Sequence, residues 1–474
     1  MSGPTLHPGE RRLGPWGHLA AGAAVAGAAP TPVGWSVAER GPVPGGRAAK
    51  GPTLSSNFTP DASAALDGPA WLAERRAAAL AAFAAAELPS TDEEVWRYSR
   101  IDDLDLDAYA PAGPAPGGPL PATTQALVDA VADRAATVVV RNGRVAGVDL
   151  GEAGAKGVHV GPVTDAHAGV LGSTIDEAPD AFVRLNDAFM AQPVAVDVPA
   201  GVVVPGPVVV VHVTSGAGAA AFPRLLVRAG DDSEITVLEV QASGDDAGLV
   251  VPVTEIVAGR AARVGHVTVQ QLGLATWQLG LQVSQVAAEA TLRSTTFGFG
   301  GDYTRLRTDC RMLGRGATGE LDAVYFGEGD QTLDFRTFQD HVAPDCTSNL
   351  LFKGAVGGRS RSVYTGMIHV GKAARGTNAF QTNRNVKLSD RAWAESVPNL
   401  VIENNDVRCS HASAVGPVDE DQRFYLESRG VPTDEAERLI VGGFFDEVLA
   451  RLPVRAAVPL LRATIGAKFA RRAA

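Results

Sequence analysis

Residues 193–410 combine many short apolar runs with an absence of hairpin turns, and this combination leaves few folds open. Runs of Val, Ile, Leu and Thr, such as those at 208–213, 235–240 and 264–272, alternate with Gly, Pro, Asp and Asn. Short runs at this spacing are typical of a sandwich, a barrel or a β-solenoid. Between 190 and 410 there is no Asn-Gly or Asp-Gly pair, the strongest hairpin signal. We therefore predict a parallel stack in which each coil pairs with the next, with irregular coils because no strict hexapeptide period appears.

Helical patterns precede this stretch. Ordered sequence is predicted to begin near Asp67, and apolar residues from Trp71 to Phe83 then recur at helical spacing. Thr91 and Glu94 have the spacing of a capping box, in which each side chain satisfies a free amide of the other residue. We therefore expect an N-terminal helical region with a short second segment.

A mixed segment connects the helical region to the stack. Two Val-rich runs flank Asn142-Gly143, which predicts a hairpin because this pair supplies the positive φ angles of a tight turn. One further helix is predicted near residues 176–190.

Helix is predicted again after about residue 417. One helix spans 419–428, and in the next helix Ile440, Phe444 and Leu449 lie close to one face, with Phe445 beside them. An apolar stripe at the end of a solenoid either caps the stack or docks a partner, so these four residues are candidate docking residues.

These patterns divide the chain into five regions. They are a disordered extension (1–57), an N-terminal helical region and linker (65–135), a mixed α/β connecting region (136–192), a β-helix core (193–416) and a C-terminal helical domain (417–474). The extension is assigned because Gly, Pro and Ala dominate it without periodicity. An alternative is a secretory or twin-arginine signal, since Arg11-Arg12 precede a weakly apolar run.

Composition excludes several classes of function. The formal net charge of −11 argues against a surface that binds nucleic acid or an anionic membrane, because such surfaces need clustered Lys and Arg. No apolar stretch has the length of a membrane span. Cys310, Cys346 and Cys409 are an odd number of well-separated cysteines, which predicts reduced thiols and a cytoplasmic location.

Two further motifs favour structural interpretations. Residues 314–319 match GxGxxG, but strand-like sequence follows where a dinucleotide site needs a helix, so we interpret them as solenoid corners. No Walker A motif is present, so the chain is not expected to hydrolyse ATP. The carboxylates of residues 301–340 keep one alternative open, a β-helix enzyme that acts on polysaccharides.

Cys409 and His411 form the most informative cluster. They stand at i and i+2, so on a strand both side chains point to one face. A thiolate and an imidazole together are a soft ligand pair suited to iron, zinc or the edge of a cluster. Two ligands do not close a site, so either a partner supplies the rest or the pair is structural, a buried Cys beside a satisfied His.

Around this cluster the sequence resembles the SufB/SufD family. The resemblance is carried by the stretches 358–366 and 398–411, by the polar residues of 378–385, and by the tail motifs within 424–444. Residues 94–98 resemble the N-terminal motif of the family, and Cys409-Ser410-His411 resembles SufD-type rather than SufB-type members. The resemblance covers about residues 65–452.

The resemblance implies a mainly β fold, a right-handed parallel β-helix flanked by N-terminal and C-terminal helical segments. It implies a non-catalytic scaffold for iron–sulfur cluster assembly that pairs with a SufB-like subunit through the β-helix ends. It also implies that the C-terminal helices bind SufC, an ABC-type ATPase. A transient cluster would form at the SufB–SufD interface, with Cys409 and His411 as the candidate ligands on this chain. The family is also associated with reduced flavin, for which the sequence locates no site. A purely structural partner without a metal role is the remaining alternative.

Overall fold

The structure is a computed structural model that describes residues 56–115 and 117–471. The predicted disordered extension, residues 1–57, thus lies outside the described residues except for its last two positions. The first helix begins at Pro60, before the predicted start near Asp67, because the Thr59 side chain caps it by accepting a hydrogen bond from the amide of Ala62.

Eight α-helices flank a large β region within the described residues. They are α1 (Pro60–Ala64), α2 (Ala70–Ala84), α3 (Ala122–Ala130), α4 (Gly151–Ala155), α5 (Ala181–Phe189), α6 (Glu420–Glu427), α7 (Thr433–Leu449) and α8 (Val458–Arg471). Single turns of 3-10 helix lie at Glu94–Trp96, Ile101–Asp103, Leu106–Ala108, Asp165–His167 and Arg455–Ala457.

The strands fall in one nearly continuous part of the chain. In chain order they are β1 (Ala110–Pro111), β2 (Ala136–Arg141), β3 (Arg144–Asp149), β4 (His159–Pro162), β5 (Val194–Val198), β6 (Val208–Thr214), β7 (Ala219–Ala221), β8 (Arg224–Ala229), β9 (Glu234–Ser243), β10 (Gly248–Val250), β11 (Val253–Ala258), β12 (Arg263–Gln271), β13 (Thr276–Val286), β14 (Thr291–Gly298), β15 (Tyr303–Met312), β16 (Thr318–Gly327), β17 (Thr332–His341), β18 (Thr347–Val356), β19 (Arg361–Val370), β20 (Thr377–Lys387), β21 (Trp393–Ile402) and β22 (Val407–Pro417).

These strands build a parallel β-solenoid of eight turns. The first sheet has the order β21-β19-β17-β15-β13-β11-β8-β5, and the second has the order β22-β20-β18-β16-β14-β12-β9-β6. The strands in these two rows therefore alternate between the sheets along the chain, and every neighbouring pair in the rows is parallel. The short strands β7 and β10 pair at the side of the first sheet. The predicted mainly β fold, a parallel stack flanked by helices, is confirmed.

Antiparallel pairs stand at the start of the solenoid. β2 extends the second sheet beyond β6 and turns back into β3 through Asn142 and Gly143, whose φ angles are 48° and 76°. The predicted hairpin is thus confirmed. In the first sheet, β4 pairs antiparallel with β5.

Helices cover the outer faces of both sheets. Apolar side chains of α2 and α5 pack with Trp96 against β13 and β15 of the first sheet. Those of α3, α7 and α8 pack against the second sheet around Phe297, Val324 and Phe326. Each sheet is therefore buried on both sides along most of its length, as expected for parallel strands.

The segment at residues 91–98 is held by tertiary contacts and not by the local hydrogen bonds that the sequence predicts. The capping box predicted for Thr91 and Glu94 does not form, since the Thr91 hydroxyl and amide both bond to the Asp102 carboxylate. Instead Trp96 is buried beneath Arg305, whose guanidinium carbon lies 3.7 Å from the centroid of the indole ring. A tertiary cation–π contact thus fixes this segment on the first sheet.

Two buried lysines attach the C-terminal helices to the second sheet. Lys353 on β18 donates to the carbonyl of Phe444 at 2.7 Å and pairs with Glu447 at 2.6 Å. Lys468 on α8 donates to the carbonyl of Phe299 at 2.6 Å and pairs with Glu328 at 2.9 Å. Because both ammonium groups are buried, these bonds fix where α7 and α8 sit. Within the described residues no helix is long and apolar enough to cross a membrane.

Candidate functional site

The last turn of the solenoid is open. Within the described residues β21 pairs only with β19 and β22 only with β20, so each is the edge strand of its sheet. No residue of either strand is buried, whereas β19 and β20 contain many buried residues. The exposed apolar side chains here include Val401, Ile402 and Val415. We call β21 and β22 together the terminal turn.

Cys409 and His411 lie on the inward face of the terminal turn. Both belong to β22, as predicted, and they stand in register with Ala379 and Gln381 of β20. Ala379 and Gln381 are buried inside the solenoid. Because register in a parallel sheet keeps partners on the same face, Cys409 and His411 stand above the solenoid interior.

The two side chains differ in environment. Cys409 is half-buried and packs with a small apolar cluster that includes Val370, Ala379 and Leu400. Burial raises the pKa of its thiol, although a hydrogen bond to the backbone of Ala379 lowers it in part. His411 is exposed, and its imidazole forms no hydrogen bond to the described part of the chain. Cys409 is therefore held as a neutral thiol, and His411 is accessible to a ligand.

The described residues by themselves do not close a metal site at this position. Among the described residues, no group of three or more His, Cys, Asp and Glu side chains is arranged to hold a metal ion. Within this part of the chain, Cys409 and His411 bring one sulfur and one nitrogen atom to the terminal turn, and they remain candidate ligands.

A polar layer lies directly below the terminal turn. Tyr325, Asn383 and Asn385 form a closed network, in which the tyrosine hydroxyl bonds to both asparagines at 2.8–2.9 Å. Gln381 lies beside them with both amide atoms buried and unpaired, and the buried hydroxyl of Ser396 on β21 is also unpaired. In the sequence, Gln381 is marked only as part of a family motif, and Ser396 is not marked by any pattern.

The other two cysteines are core residues. Cys310 is fully buried, with its Sγ 3.6 Å from Sδ of Met312, and burial raises its pKa to about 12. Cys346 is also buried, and its thiol donates to the carbonyl of Gly314 at 3.3 Å. Neither thiol reaches the terminal turn, since both belong to the apolar interior of earlier turns.

The predicted docking stripe is divided by the structure. Ile440 and Phe444 are half-buried and line an open groove between α6 and α7. Phe445 and Leu449, also predicted as docking residues, are 0% and 1% exposed and belong to the core beneath α7. A fully buried side chain offers no surface to a partner, so Ile440 and Phe444 are the two docking candidates that this groove leaves accessible.

Near the groove, other apolar residues are exposed where Phe445 and Leu449 are buried. Phe424 is 72% exposed, Tyr425 59% and Leu439 47%. Tyr425 and Leu439 line the groove, and Asp419 and Asp421 add negative charge to its lining. Helical spacing identified the apolar stripe of α7, but α6 supplies two of the exposed aromatic rings.

A charged cluster lies deeper inside the solenoid. Glu239 is 1% exposed and bonds His266 at 3.1 Å, while Gln241 and Thr254 donate to it at 2.7 and 3.1 Å. Burial alone would raise the pKa of Glu239, but the hydrogen bond from His266 and the charges of the histidines hold it at about 2. His212 lies 3.7 Å from the same carboxylate, and burial lowers its pKa. Glu239 is therefore an ionised carboxylate inside the core.

The acidic residues of 301–340 have structural partners. Each of the eight forms an ion pair: Asp302, Asp309, Glu320, Asp322, Glu328, Asp330, Asp334 and Asp340. Likewise, residues 314–317 lie in the corner between β15 and β16, and Thr318 and Gly319 begin β16, as expected for a solenoid corner followed by a strand. These features therefore favour structural roles over a polysaccharide site or a dinucleotide site.

Comparison with known proteins agrees with this geometry. The sequence profile described as "SUF system FeS cluster assembly, SufBD core domain" matches residues 212–444. An iron–sulfur cluster assembly SufBD family protein of Mycobacterium tuberculosis is 37% identical over 288 residues, which cover 58% of this chain and 70% of the relative.

Two relatives carry the name iron–sulfur cluster assembly protein SufD. The protein of Bacillus subtilis is 29% identical over 260 residues, covering 54% of this chain and 60% of the relative. The protein of Escherichia coli is 32% identical over 167 residues, covering 35% of this chain and 40% of the relative. Together with the parallel solenoid and its open terminal turn, these matches show that the chain belongs to the SufB/SufD family of iron–sulfur cluster assembly proteins.

Proposed function

We propose that this chain is a SufD-type scaffold subunit, which pairs with a SufB-like subunit and a SufC-like ABC ATPase to assemble iron–sulfur clusters. The observation that carries the proposal is the open terminal turn with Cys409 and His411 on its inward face. In this proposal the chain itself catalyses no reaction, and ATP hydrolysis belongs to the partner.

The terminal turn is suited to a second β-helix. Its two edge strands offer unpaired backbone N–H and C=O groups, which natural proteins normally cover or blunt. Val401, Ile402 and Val415 are 36–43% exposed there and would be buried by a partner. A SufB-like subunit with a similar end satisfies both needs, since its strands can continue both sheets.

Cluster chemistry requires the partner at this same place. The cluster is cargo here, formed and passed on. Cys409 supplies sulfur once its proton is displaced by metal, and His411 supplies a nitrogen ligand. Because two ligands leave a cluster incomplete, the SufB-like subunit must supply the rest. Reduced flavin remains a family association with no location on this chain.

The groove between α6 and α7 is the proposed site for the ATPase. It combines the half-buried Ile440 and Phe444 with the exposed Tyr425 and Leu439, and a few aromatic anchors of this kind carry most of the affinity of an interface. α7 is fixed to the solenoid by Lys353. Movement of two bound ATPases would therefore be transmitted to the solenoids and would repack the interface at the terminal turn.

A structural partner without a metal role is the second candidate. It is favoured by the packing of Cys409 into an apolar cluster, which is what a core cysteine does. In this case all the ligands belong to the SufB-like subunit.

Variants of the co-expressed complex separate the two candidates. The complex is purified without oxygen, and iron and acid-labile sulfide are measured for wild type, Cys409→Ser, His411→Ala and the double variant. Ser413→Ala, on the same face of β22, is the matched control. We expect all the Cys409 and His411 variants to lose cluster content, the double variant most of all, while heterodimer formation and ATPase binding persist. Normal cluster content in the double variant would instead assign the chemistry to the SufB-like subunit.

A further inference from the structure

Gln381 has an unusual environment for a buried amide. Its side chain is 1% exposed, and neither Nε2 nor Oε1 has a hydrogen-bond partner within the described residues. Leaving a buried polar group unpaired costs about 1–3 kcal/mol. Native proteins rarely retain such a group without a role, so Gln381 calls for an explanation.

The register places Gln381 next to His411. Gln381 on β20 pairs with His411 on β22, and both lie on the inward face. Neighbouring strands are about 4.8 Å apart, so the amide lies one strand below the imidazole. This separation is within reach of a hydrogen bond between two long side chains on one face.

The opposite wall leaves room for the amide. A Cβ atom on Gly366 of β19 would lie 2.2 Å from Nε2 of Gln381 and 2.4 Å from the hydroxyl of Tyr364. A side chain at position 366 would therefore displace the amide, and glycine is required here for space. The Gln381 side chain thus spans the interior and rests against the backbone of the opposite strand.

Most of the surrounding polar groups are already paired, and the hydroxyl of Ser396 is an exception. The Tyr364 hydroxyl bonds to Thr337 at 2.9 Å, and the amides of Asn383 and Asn385 bond within the network of Tyr325. Only Gln381 in this amide row keeps both of its polar atoms unpaired. In the chain alone the amide faces Gly366, and the imidazole of His411, one strand above, is the polar group through which it would act on the proposed site.

We propose that Gln381 is the positioning residue of His411: in the assembled complex its amide turns from Gly366 towards the terminal turn, hydrogen-bonds one imidazole nitrogen and leaves the other nitrogen for iron. A ligating histidine normally donates its second N–H to such a group, which fixes the tautomer and the orientation of the ring. The inference rests on the proposed function, because it names what orients one of the two proposed ligands.

Two substitutions test the role of the amide. Gln381→Met keeps the length and removes both polar atoms, whereas Gln381→Glu keeps an acceptor. Fe²⁺ is titrated into the anaerobic heterodimer. We expect Gln381→Met to weaken Fe²⁺ binding about tenfold or more. Gln381→Glu should restore binding at pH 8 but move the midpoint of its pH dependence upward, because a carboxylate favours the imidazolium form.

The controls distinguish this inference from the proposed function. Gln339→Met removes another interior amide, one that donates to Ser348 at 2.8 Å, and should leave Fe²⁺ binding unchanged. If His411→Ala loses Fe²⁺ and Gln381→Met does not, the positioning role is wrong and the proposed function stands. If neither variant changes binding, the proposed function itself fails. Should Gln381→Met not fold, the pH midpoint of Gln381→Glu decides, and an unchanged midpoint overturns the inference.

Discussion

The three cysteines show how strongly the local environment controls the reactivity of a thiol. Cys310 and Cys346 are buried in the interior, and burial raises the pKa of both thiols. Cys409 also has a raised pKa, but it is half-buried at an edge strand. Since alkylation needs both access and thiolate, access distinguishes the three.

We therefore expect iodoacetamide to modify Cys409 first in the folded chain at pH 8. Cys310 and Cys346 should react only after unfolding, because their sulfur atoms are enclosed by the core. Mass spectrometry of peptides after timed alkylation, with and without urea, measures the order. Modification of Cys310 at the rate of Cys409 would contradict the described packing. Adding the SufB-like partner should then protect Cys409.

At the scale of single residues, the sequence alone predicts part of the candidate site at the terminal turn. Spacing alone placed Cys409 and His411 on one face, because side chains alternate along any strand. It could not place Gln381 beneath His411, since these residues are a full turn apart and their register depends on the length of the intervening corner. The space at Gly366 was equally hidden, because it depends on a residue of the opposite sheet.

At the scale of the element, α7 shows the limit of periodicity. Helical spacing correctly marks its apolar positions, but an apolar residue has the same pattern whether its own protein or a partner covers it. The structure assigns Phe445 to the core, where its ring centroid lies 6.4 Å from that of Phe326. Leu439, on the same helix, remains exposed.

Substitutions along these helices should therefore separate docking from folding. We expect Leu439→Ala and Tyr425→Ala to weaken binding of the ATPase by about 1–4 kcal/mol if each is an anchor, with thermal stability unchanged. Phe445→Ala should destabilise the fold by about 3–5 kcal/mol, because it empties a core position. Calorimetric titration and thermal unfolding measure the two effects. A Leu439→Ala variant that loses stability but keeps full affinity would remove the groove as the docking site.

At the scale of the whole molecule, the lack of hairpin signals correctly predicted a parallel stack. Pairing between turns is a non-local property, so neither the number of turns nor the identity of the open end could be taken from local patterns. The buried charge of Glu239 was also unforeseen, because its partners His212 and His266 come from neighbouring turns.

The ionised carboxylate of Glu239 should make the free energy of unfolding depend on pH. The pKa of Glu239 in the folded chain is about 2, below the ordinary value of 4.5. The stabilisation is therefore present above about pH 4.5 and is lost as the pH falls towards 2. We expect Glu239→Gln to lower the free energy of unfolding by about 1.5–3 kcal/mol at pH 7, since a charged hydrogen bond is lost in the core.

Urea unfolding at pH 7 and at pH 3 measures this effect. The variant should lose less stability than wild type on acidification, because the group that takes up the proton is gone. Glu234→Gln, an exposed position at the start of the same strand, is the control and should change stability by less than about 0.5 kcal/mol. Equal acid sensitivity in wild type and Glu239→Gln would show that the cluster does not control it.

The contrast between the two ends of the solenoid has a consequence for stoichiometry. At one end the last pairs of both sheets are antiparallel, and at the other both sheets stop at a parallel edge. A coil with two equivalent ends could add copies without limit and form a filament. Here the two ends differ, so a contact between two terminal turns joins two solenoids end to end and leaves neither terminal turn free. Pairing through the terminal turn alone would therefore stop at two chains, and the proposed SufB-like partner would occupy the same end that a second copy of this chain would use.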